Sequence, residues 1–310
     1  MPTPASPAVR GQITDRDRRV LALLAEHFTF TTSQLALLAG FGSVITAQHR
    51  LAMLHKRDVL HRDRPFRSGG GSYEWHWMLG PVGARLIAEQ HRVAPIRPAK
   101  VSARWRKLFH GWRWAELSAQ HAWFCTLVAD GTAGDLVVWR SAWRVSRTWQ
   151  ATTDGYGRWR YPDGRELAFA LLLDDPPRVG AHELCARLAK LPDPDMPFTR
   201  RTGPSGDTIP LLWCATPHRE ETIRRAVAKF LGGETGMPLG LACAQQADTT
   251  AGGAHGRVWL PLGSLRHLPG RLTLAELAEA ARSHANPNST YWTENDDELI
   301  RYDDTEDWVA

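Results

Sequence analysis

Cysteine is scarce in this chain of 310 residues: there are four, Cys125, Cys185, Cys214 and Cys243. No two of them form a C-x-x-C pair, which argues against a zinc knuckle, and each lies in an apolar context that reads as a buried free thiol. Lysine is scarcer than arginine, with only Lys56, Lys100, Lys107, Lys190 and Lys229. A GC-rich genome would produce that bias as readily as nucleic-acid binding. No run of about twenty apolar residues exists and no signal peptide is recognisable, so the chain is expected to be soluble and cytoplasmic, away from membranes. Phosphate-cradling glycine motifs are missing too: there is no G-x-x-x-x-G-K-[ST], and no G-x-G-x-x-G after a strand. With no Ser-His-Asp arrangement and no metal-binding helix motif, no cofactor and no metal are expected.

What is present suffices for two ordinary domains. Hydrophobic residues make up 43% and charged residues 23%, the balance of a folded chain. The charge is unevenly placed. Met1 to Arg113 holds 18 Lys+Arg against 7 Asp+Glu, a net +11, which leaves −6 for the remainder of a chain whose formal charge is +5. A polyanion would bind the basic half.

Within that half, Ser43 to Tyr73 carries the argument. Ala47, Leu51 and Leu54 fall at i, i+4 and i+7 and define the buried face of a helix. Thr46, Gln48, His49, Arg50, Met53 and Lys56 face elsewhere, with no acid among them, and can donate to phosphates and base edges. Val59 to Arg62 reads as a strand, Arg67 to Ser72 as a glycine-rich tip, and Tyr73 to Met78 as the returning strand. A polar-faced helix followed by a basic hairpin is the order of a winged helix-turn-helix. Upstream, Thr14 to Asp17 opens a helix with a capping box, and Thr31 to Gln34 opens a short second helix. Thr32 or Ser33 there would either hold a phosphate or simply cap the helix. Pro81 opens a helix that closes the module near His91. The expected DNA-binding set is Thr32, Ser33, Ser43, Thr46, Gln48, His49, Arg50, Met53, Lys56, Arg57, Arg62, Arg64 and Arg67. Arg50 and His49 are expected to select sequence, and the hairpin arginines to supply affinity.

The domain boundaries expected are a disordered tail at 1–11, a winged helix at 12–92, a linker with Pro95 and Pro98 at 93–104, an α/β domain at 105–285 and an acidic tail at 286–310. The α/β domain starts with one long helix, Trp105 to Ala129. Strands follow at Leu136–Trp139, between Arg144 and Tyr161, at Leu167–Leu173, Ile209–Cys214, Leu239–Ala244 and Val258–Leu260. Helices are expected at Ala181–Leu191, Arg219–Leu231 and Leu272–Arg282. The alternation is that of a three-layer α/β domain. The acidic tail holds eight acids and one arginine; it would either compete with DNA for the basic module or aid solubility.

These segments resemble the replication-relaxation family of bacterial plasmids and mobile elements. The resemblance rests on ITDRDRRVLALLAEHFTFTTSQLALLAG, on TAQHRLAMLHKRDVLHRDRP, on GGGSYEWHWMLGPVGARLIA, on Trp114 to His121, on Asp154 to Trp159 and on Phe169 to Asp174, over roughly residues 12 to 231. It implies a winged helix joined to a domain similar to PD-(D/E)-x-K nucleases, working in replication, transfer or regulation of a mobile element. In such a nuclease two carboxylates hold Mg²⁺. Asp154 matches the first acid. Leu172 stands where the family has a glutamate, Pro176-Pro177-Arg178 replaces its Gly-Thr-Glu, and Lys190 keeps a lysine on the helix. Asp154, Asp174 and Lys190 are thus vestigial candidates, and a non-catalytic protein that binds double-stranded DNA is expected. Its partners would be a second copy of itself and replication or conjugation proteins. The alternatives are an active metal-dependent nuclease using Asp154, Asp163, Glu166 or Asp174, and a transcription regulator whose α/β domain senses a ligand.

Overall fold

The computed structural model describes residues 11–110, 113–149, 152–174, 180–189, 191, 208–230 and 238–284. The tails expected at 1–11 and 286–310 lie outside these residues apart from Gly11, as do Pro176, Pro177, Arg178 and Lys190. The chain divides into two compact units, one reaching Cys125 and the other running from Thr126 to Glu294.

The first unit opens with α1 (Asp15–His27). Its cap is the expected one: Thr14 is the N-cap, Asp17 donates its backbone N–H to Thr14 Oγ1 at 3.3 Å, and Asp17 Oδ2 accepts from the Thr14 backbone N–H at 2.8 Å. A short strand β1 (Phe30–Thr31) leads into α2 (Thr32–Leu38), capped by Thr31 with Gln34 in the same reciprocal pattern. Then come α3 (Val44–His55), β2 (Leu60–Asp63), β3 (His76–Leu79) and α4 (Pro81–Gln90). The strands form an antiparallel sheet in the order β1-β3-β2, with Arg62 opposite Trp77 and Asp63 opposite His76. Ala47, Leu51 and Leu54 are buried on α3, as their spacing predicts, against a core that includes Val20, Leu21, Leu35 and Trp77. Gly83 lets α4 lie on the backbone of the corner before β2, since a Cβ there would sit 2.2 Å from the Val59 carbonyl oxygen.

The stretch expected as a linker is helical from Pro98. Helix α5 (Pro98–His110) belongs to the first unit: Trp105 stacks flat on His61, ring centroids 3.5 Å apart, and its Nε1 donates to the Leu79 carbonyl at 3.0 Å. Of the helix expected from Trp105 to Ala129, the described residues up to His110 are helical in α5 and Arg113–Ala129 forms α6; Gly111 and Trp112 lie outside the described residues.

The second unit is built on a six-stranded mixed sheet. Its strands are β4 (Asp135–Ser141), β5 (Gly155–Arg160), β6 (Glu166–Asp174), β7 (Ile209–Cys214), β8 (Pro238–Cys243) and β9 (Leu260–Gly263), ordered β4-β5-β6-β7-β8-β9. The first three form an antiparallel meander, β6, β7 and β8 run parallel, and β9 returns antiparallel. The sequence reading passed over α7 (Ala142–Trp149), which precedes β5. Helices α8 (Ala181–Leu188) and α9 (Pro217–Phe230) follow β6 and β7, α10 (Ala244–Thr249) follows β8, and α11 (Leu274–His284) ends the described chain. Leu172, Leu212 and Leu241 share one register and pack with Val145, Leu184 and Ile223 of α7, α8 and α9. On the other face, a Cβ at Gly240 would stand 2.5 Å from Leu277 of α11. Helices thus cover both faces, which is why β6 to β8 are apolar on both sides.

Candidate nucleic-acid interface

Helix α3 begins at Ser43, whose hydroxyl accepts from the Thr46 backbone N–H at 3.1 Å and pairs with the Thr46 hydroxyl at 2.9 Å. Gln48, His49, Met53 and Lys56 are exposed, as expected, and Arg57 is half-buried at the helix end. The sequence reading missed two exposed residues of this helix: Ile45 at 67% and Val44 at 44%. Their signal in the sequence is that Val44 and Ile45 are apolar yet fall outside the stripe of Ala47, Leu51 and Leu54.

Arg50 does not join the exposed set. Its Nε donates to Asp17 Oδ1 at 2.9 Å, one terminal nitrogen to Asp17 Oδ2, and that same nitrogen to the Gln12 carbonyl at 2.8 Å. Asp17 is fully buried. Burial alone would raise its pKa, but the hydrogen bonds from Arg50 and Thr14 outweigh burial and hold the carboxyl below its ordinary value. Arg50 therefore ties α3 to α1 and is not placed to read bases.

The N-terminus of α2 is likewise engaged within the protein. The Ser33 backbone N–H and hydroxyl both donate to Glu74 Oε1, at 2.6 and 2.8 Å. Thr32 is buried, and its hydroxyl accepts from Trp77 Nε1 at 2.9 Å. Of the two roles open to Thr32 and Ser33, neither is filled: a carboxylate of the hairpin occupies the place a phosphate would take, and the cap is made by Thr31.

The hairpin between β2 and β3 presents its arginines on aromatic rings. Arg62 lies 4.1 Å above Trp75, Arg64 reaches the same ring at 5.6 Å, and Arg67 lies 4.9 Å above Tyr73. Arg64 Nε also donates to the Tyr73 carbonyl at 3.0 Å. A stacked guanidinium keeps its in-plane N–H groups available while its flexible stem is held in place. The aromatic bed lies outside the sequence expectation, although Tyr73, Trp75 and Trp77 alternate along the segment that leads into β3. At the tip, Arg67 and Gly71 share a backbone hydrogen bond of 3.1 Å, Gly70 and Gly71 take positive φ, and Phe66 is 81% exposed.

The acids of the second unit are placed differently from a metal site. Asp154 Oδ2 accepts from the Leu173 N–H at 2.9 Å and from Arg187 at 2.7 Å. Asp174 is buried and held along one edge of the Arg219 guanidinium, accepting from Nε at 2.5 Å and from Nη2 at 2.7 Å. Asp163 pairs with Arg165, and Glu166 with Arg158 and Arg160. Leu172 is fully buried in the core on the α8–α9 side. Among the described residues, no three His, Cys, Asp or Glu side chains converge as a metal site. Cys214 and Cys243, 29 positions apart in the chain, are register neighbours on β7 and β8. Both are free thiols, and burial pushes the Cys214 thiol up. Burial does the same to Cys125, to about 12. The Cys125 and Cys214 thiols thus stay protonated and unreactive.

An apolar pocket lies in the first unit, lined by Leu24, Phe28, Met78, Val101 and Trp105 with Arg104 and Lys107 among its polar groups. It is not in the α/β domain, where a sensing role would have placed it. No helix among the described residues is long and apolar enough to cross a membrane.

No curated protein and no solved structure matches this chain. The model of the replication-relaxation family does match it, over residues 21–175, half of its length, from the middle of α1 across the hairpin to the end of β6. The chain therefore belongs to the replication-relaxation family.

Proposed function

We propose that this protein binds double-stranded DNA through its first unit, as a winged helix-turn-helix, in the replication, transfer or regulation of a plasmid or other mobile element. One observation carries the reading. Helix α3 exposes Ile45, Gln48, His49, Met53 and Lys56 without a single acid, and the adjoining hairpin holds three arginines on aromatic rings. A helix with that face suits the major groove, and pre-ordered guanidinium groups suit the phosphates beside it. The family's name accords with a role in replication or relaxation of DNA.

The second unit, read as a degenerate nuclease-like domain, serves as a scaffold for self-association or for replication or conjugation proteins. It is not read as a catalyst, because Asp154 and Asp174 each already neutralise an arginine. A carboxylate so engaged would have to surrender its partner before it could take Mg²⁺.

The test is binding of the full chain to fluorescent duplexes of mixed sequence over a salt series, read by anisotropy. Neutralising about four to six phosphates gives a slope of log K against log[salt] near −4 to −5. No binding, or binding indifferent to salt, overturns the reading.

A further inference from the structure

We propose that the exposed apolar row of α3 reads thymine, through the C5-methyl groups that line the major groove, so that the preferred sites carry A·T pairs at the centre of the contact. This inference rests on the DNA-binding reading and specifies its substrate.

The observation is the placement of the exposed aliphatic side chains. An α-helix turns one residue in about 100°. With the buried stripe of Ala47, Leu51 and Leu54 taken as the inward direction, Ile45, His49, Ala52, Met53 and Lys56 fall on the opposite half of the helix. Ile45 is 67% exposed and Met53 44%. They stand at i and i+8 with His49 between them at i+4, so the three form one row along the outward face. Ile45 also sits in the first turn, the part of a recognition helix that reaches deepest toward base edges.

Large apolar groups on a surface call for an occupant, and the surrounding chemistry selects one. Gln48 and Lys56 stand beside the row, the hairpin that follows the helix in sequence carries three arginines on its aromatic rings, and α3 itself carries no acid. A protein partner with an apolar face would not need that cationic border, whereas duplex DNA does. Of the groups a major groove displays, the thymine C5-methyl is the one apolar group that projects as a whole methyl; the others are donors, acceptors or the small C5–H of cytosine. An isoleucine or methionine side chain gains nothing from a guanine edge and would leave its acceptors unpaired. Thymine is thus both what the row can bind and what it can distinguish.

The experiment uses the full chain and a random-sequence duplex library. Fragments retained by the protein are resynthesised with deoxyuridine in place of thymidine, which keeps the pairing and removes only the methyl. Each methyl in contact is expected to be worth about fourfold in affinity, the equivalent of about 0.8 kcal/mol. The uracil duplexes should therefore bind about fourfold to fifteenfold more weakly. Ile45→Ala, a change at an exposed position, should reduce the difference between the two duplexes and Ile45→Ala together with Met53→Ala should erase it, whereas Arg62→Ala should weaken both alike. Equal binding of thymine and uracil duplexes by the wild type would overturn the inference while leaving DNA binding intact. A uracil penalty that persists undiminished in Ile45→Ala together with Met53→Ala would overturn it as well. Retention of no duplex would overturn the DNA-binding reading and this inference together. An oligomer dissolved by Ile45→Ala, with indifference to uracil, would assign the row to contact between copies instead.

Discussion

Asp17 on α1 and Arg50 on α3 form a two-pronged ion pair inside the first unit, with the carboxylate fully buried and the guanidinium reaching on to the Gln12 carbonyl. The same carboxylate closes the cap of α1, so one side chain fixes both the start of the first helix and its angle to the third. Removing the arginine leaves a buried charge with only its Thr14 contacts. Arg50→Ala is expected to cost about 2 to 3 kcal/mol, at or below the low end for breaking a buried pair because Arg50 keeps some solvent contact. Urea unfolding followed by tryptophan fluorescence measures this. A loss under about 0.5 kcal/mol, the level of an ordinary surface change, would show the pair to be dispensable. At temperatures where the variant is folded, its choice among DNA sequences should match the wild type.

His121 gives the first unit a pH dependence. It is buried, stacked on Phe30 at 4.2 Å, and burial pulls its pKa down to about 3. Burial lowers His76 as well. The folded pKa lies below the unfolded value of about 6.5, so the unfolded chain takes up the proton first as pH falls. The associated stability is whole above pH 6.5 and is lost progressively below it, by about 2 kcal/mol from His121 alone at pH 5. Thermal unfolding at pH 7.5 and pH 5 measures the effect. His121→Phe should flatten the dependence, and an unchanged profile in that variant would assign it elsewhere.

The hairpin arginines should act on all sequences alike. Arg62→Ala, Arg64→Ala and Arg67→Ala are each expected to weaken DNA binding by about threefold to tenfold and to reduce the salt slope by about 1, because each removes one phosphate partner. Trp75→Ala removes no charge, yet should weaken binding in the same direction by freeing Arg62 and Arg64 from their shared ring. Titrations of the four variants against two unrelated duplexes decide the point. A change in sequence preference would mean that the hairpin reads bases.

Much of this architecture was legible in the chain. The capping box at Thr14–Asp17, the start of α2 near Thr31, the buried stripe of α3 and the hairpin are local patterns, and local patterns survive folding; the cap of α2 itself is Thr31 with Gln34 and not Thr32 or Ser33. Arg50 was misplaced by an error of helical phase that the sequence itself contains: it follows Ala47 by three residues and precedes Leu54 by four, so it borders the buried face. Pro98 beside Pro95 reads as linker in the sequence, but proline is at home in the first turn of a helix, where its missing N–H costs nothing. The pairings of Asp154 with Arg187 and Asp174 with Arg219 span 33 and 45 residues. Nothing local announces them, and no spacing rule would have found them. The same holds for Glu74 at the start of α2, which lies 41 positions from Ser33.

Leu172 bears on the nuclease comparison. It is fully buried among Leu184, Leu188, Leu212 and Ile223. A glutamate there would enter an apolar core without a cation beside it, at a cost of several kcal/mol unless it stays protonated. Leu172→Glu is therefore expected to reduce soluble yield or lower the unfolding midpoint sharply, and not to create a cleaving enzyme. Incubation of supercoiled plasmid with wild type, Leu172→Glu and Asp154→Ala in Mg²⁺ or Mn²⁺ should show no nicking by any of them. Nicking by the wild type that disappears in Asp154→Ala would establish catalysis and displace the scaffold reading.

The C-terminal 26 residues set the last expectation. Residues 285–310 carry eight acids and one arginine, a net −7, so a chain ending at His284 would have a formal charge of +12 in place of +5. Charge of that size acts on DNA in two distinguishable ways. If the tail merely adds negative charge to the whole, truncation raises affinity modestly at low salt, and the gain fades as the Debye length falls below about 10 Å. If it lies on the cationic surface as a competitor, truncation releases sites that the tail held, and the gain is larger and accompanied by a steeper salt slope. The competitor is the outcome expected here, because the tail carries a net −7 within 26 residues while the first 113 residues carry a net +11. The expected gain is about tenfold at low ionic strength, and adding the 26-residue peptide back should reverse it. A truncated chain that binds no more tightly than the intact one at any salt concentration would leave the tail a role in solubility alone.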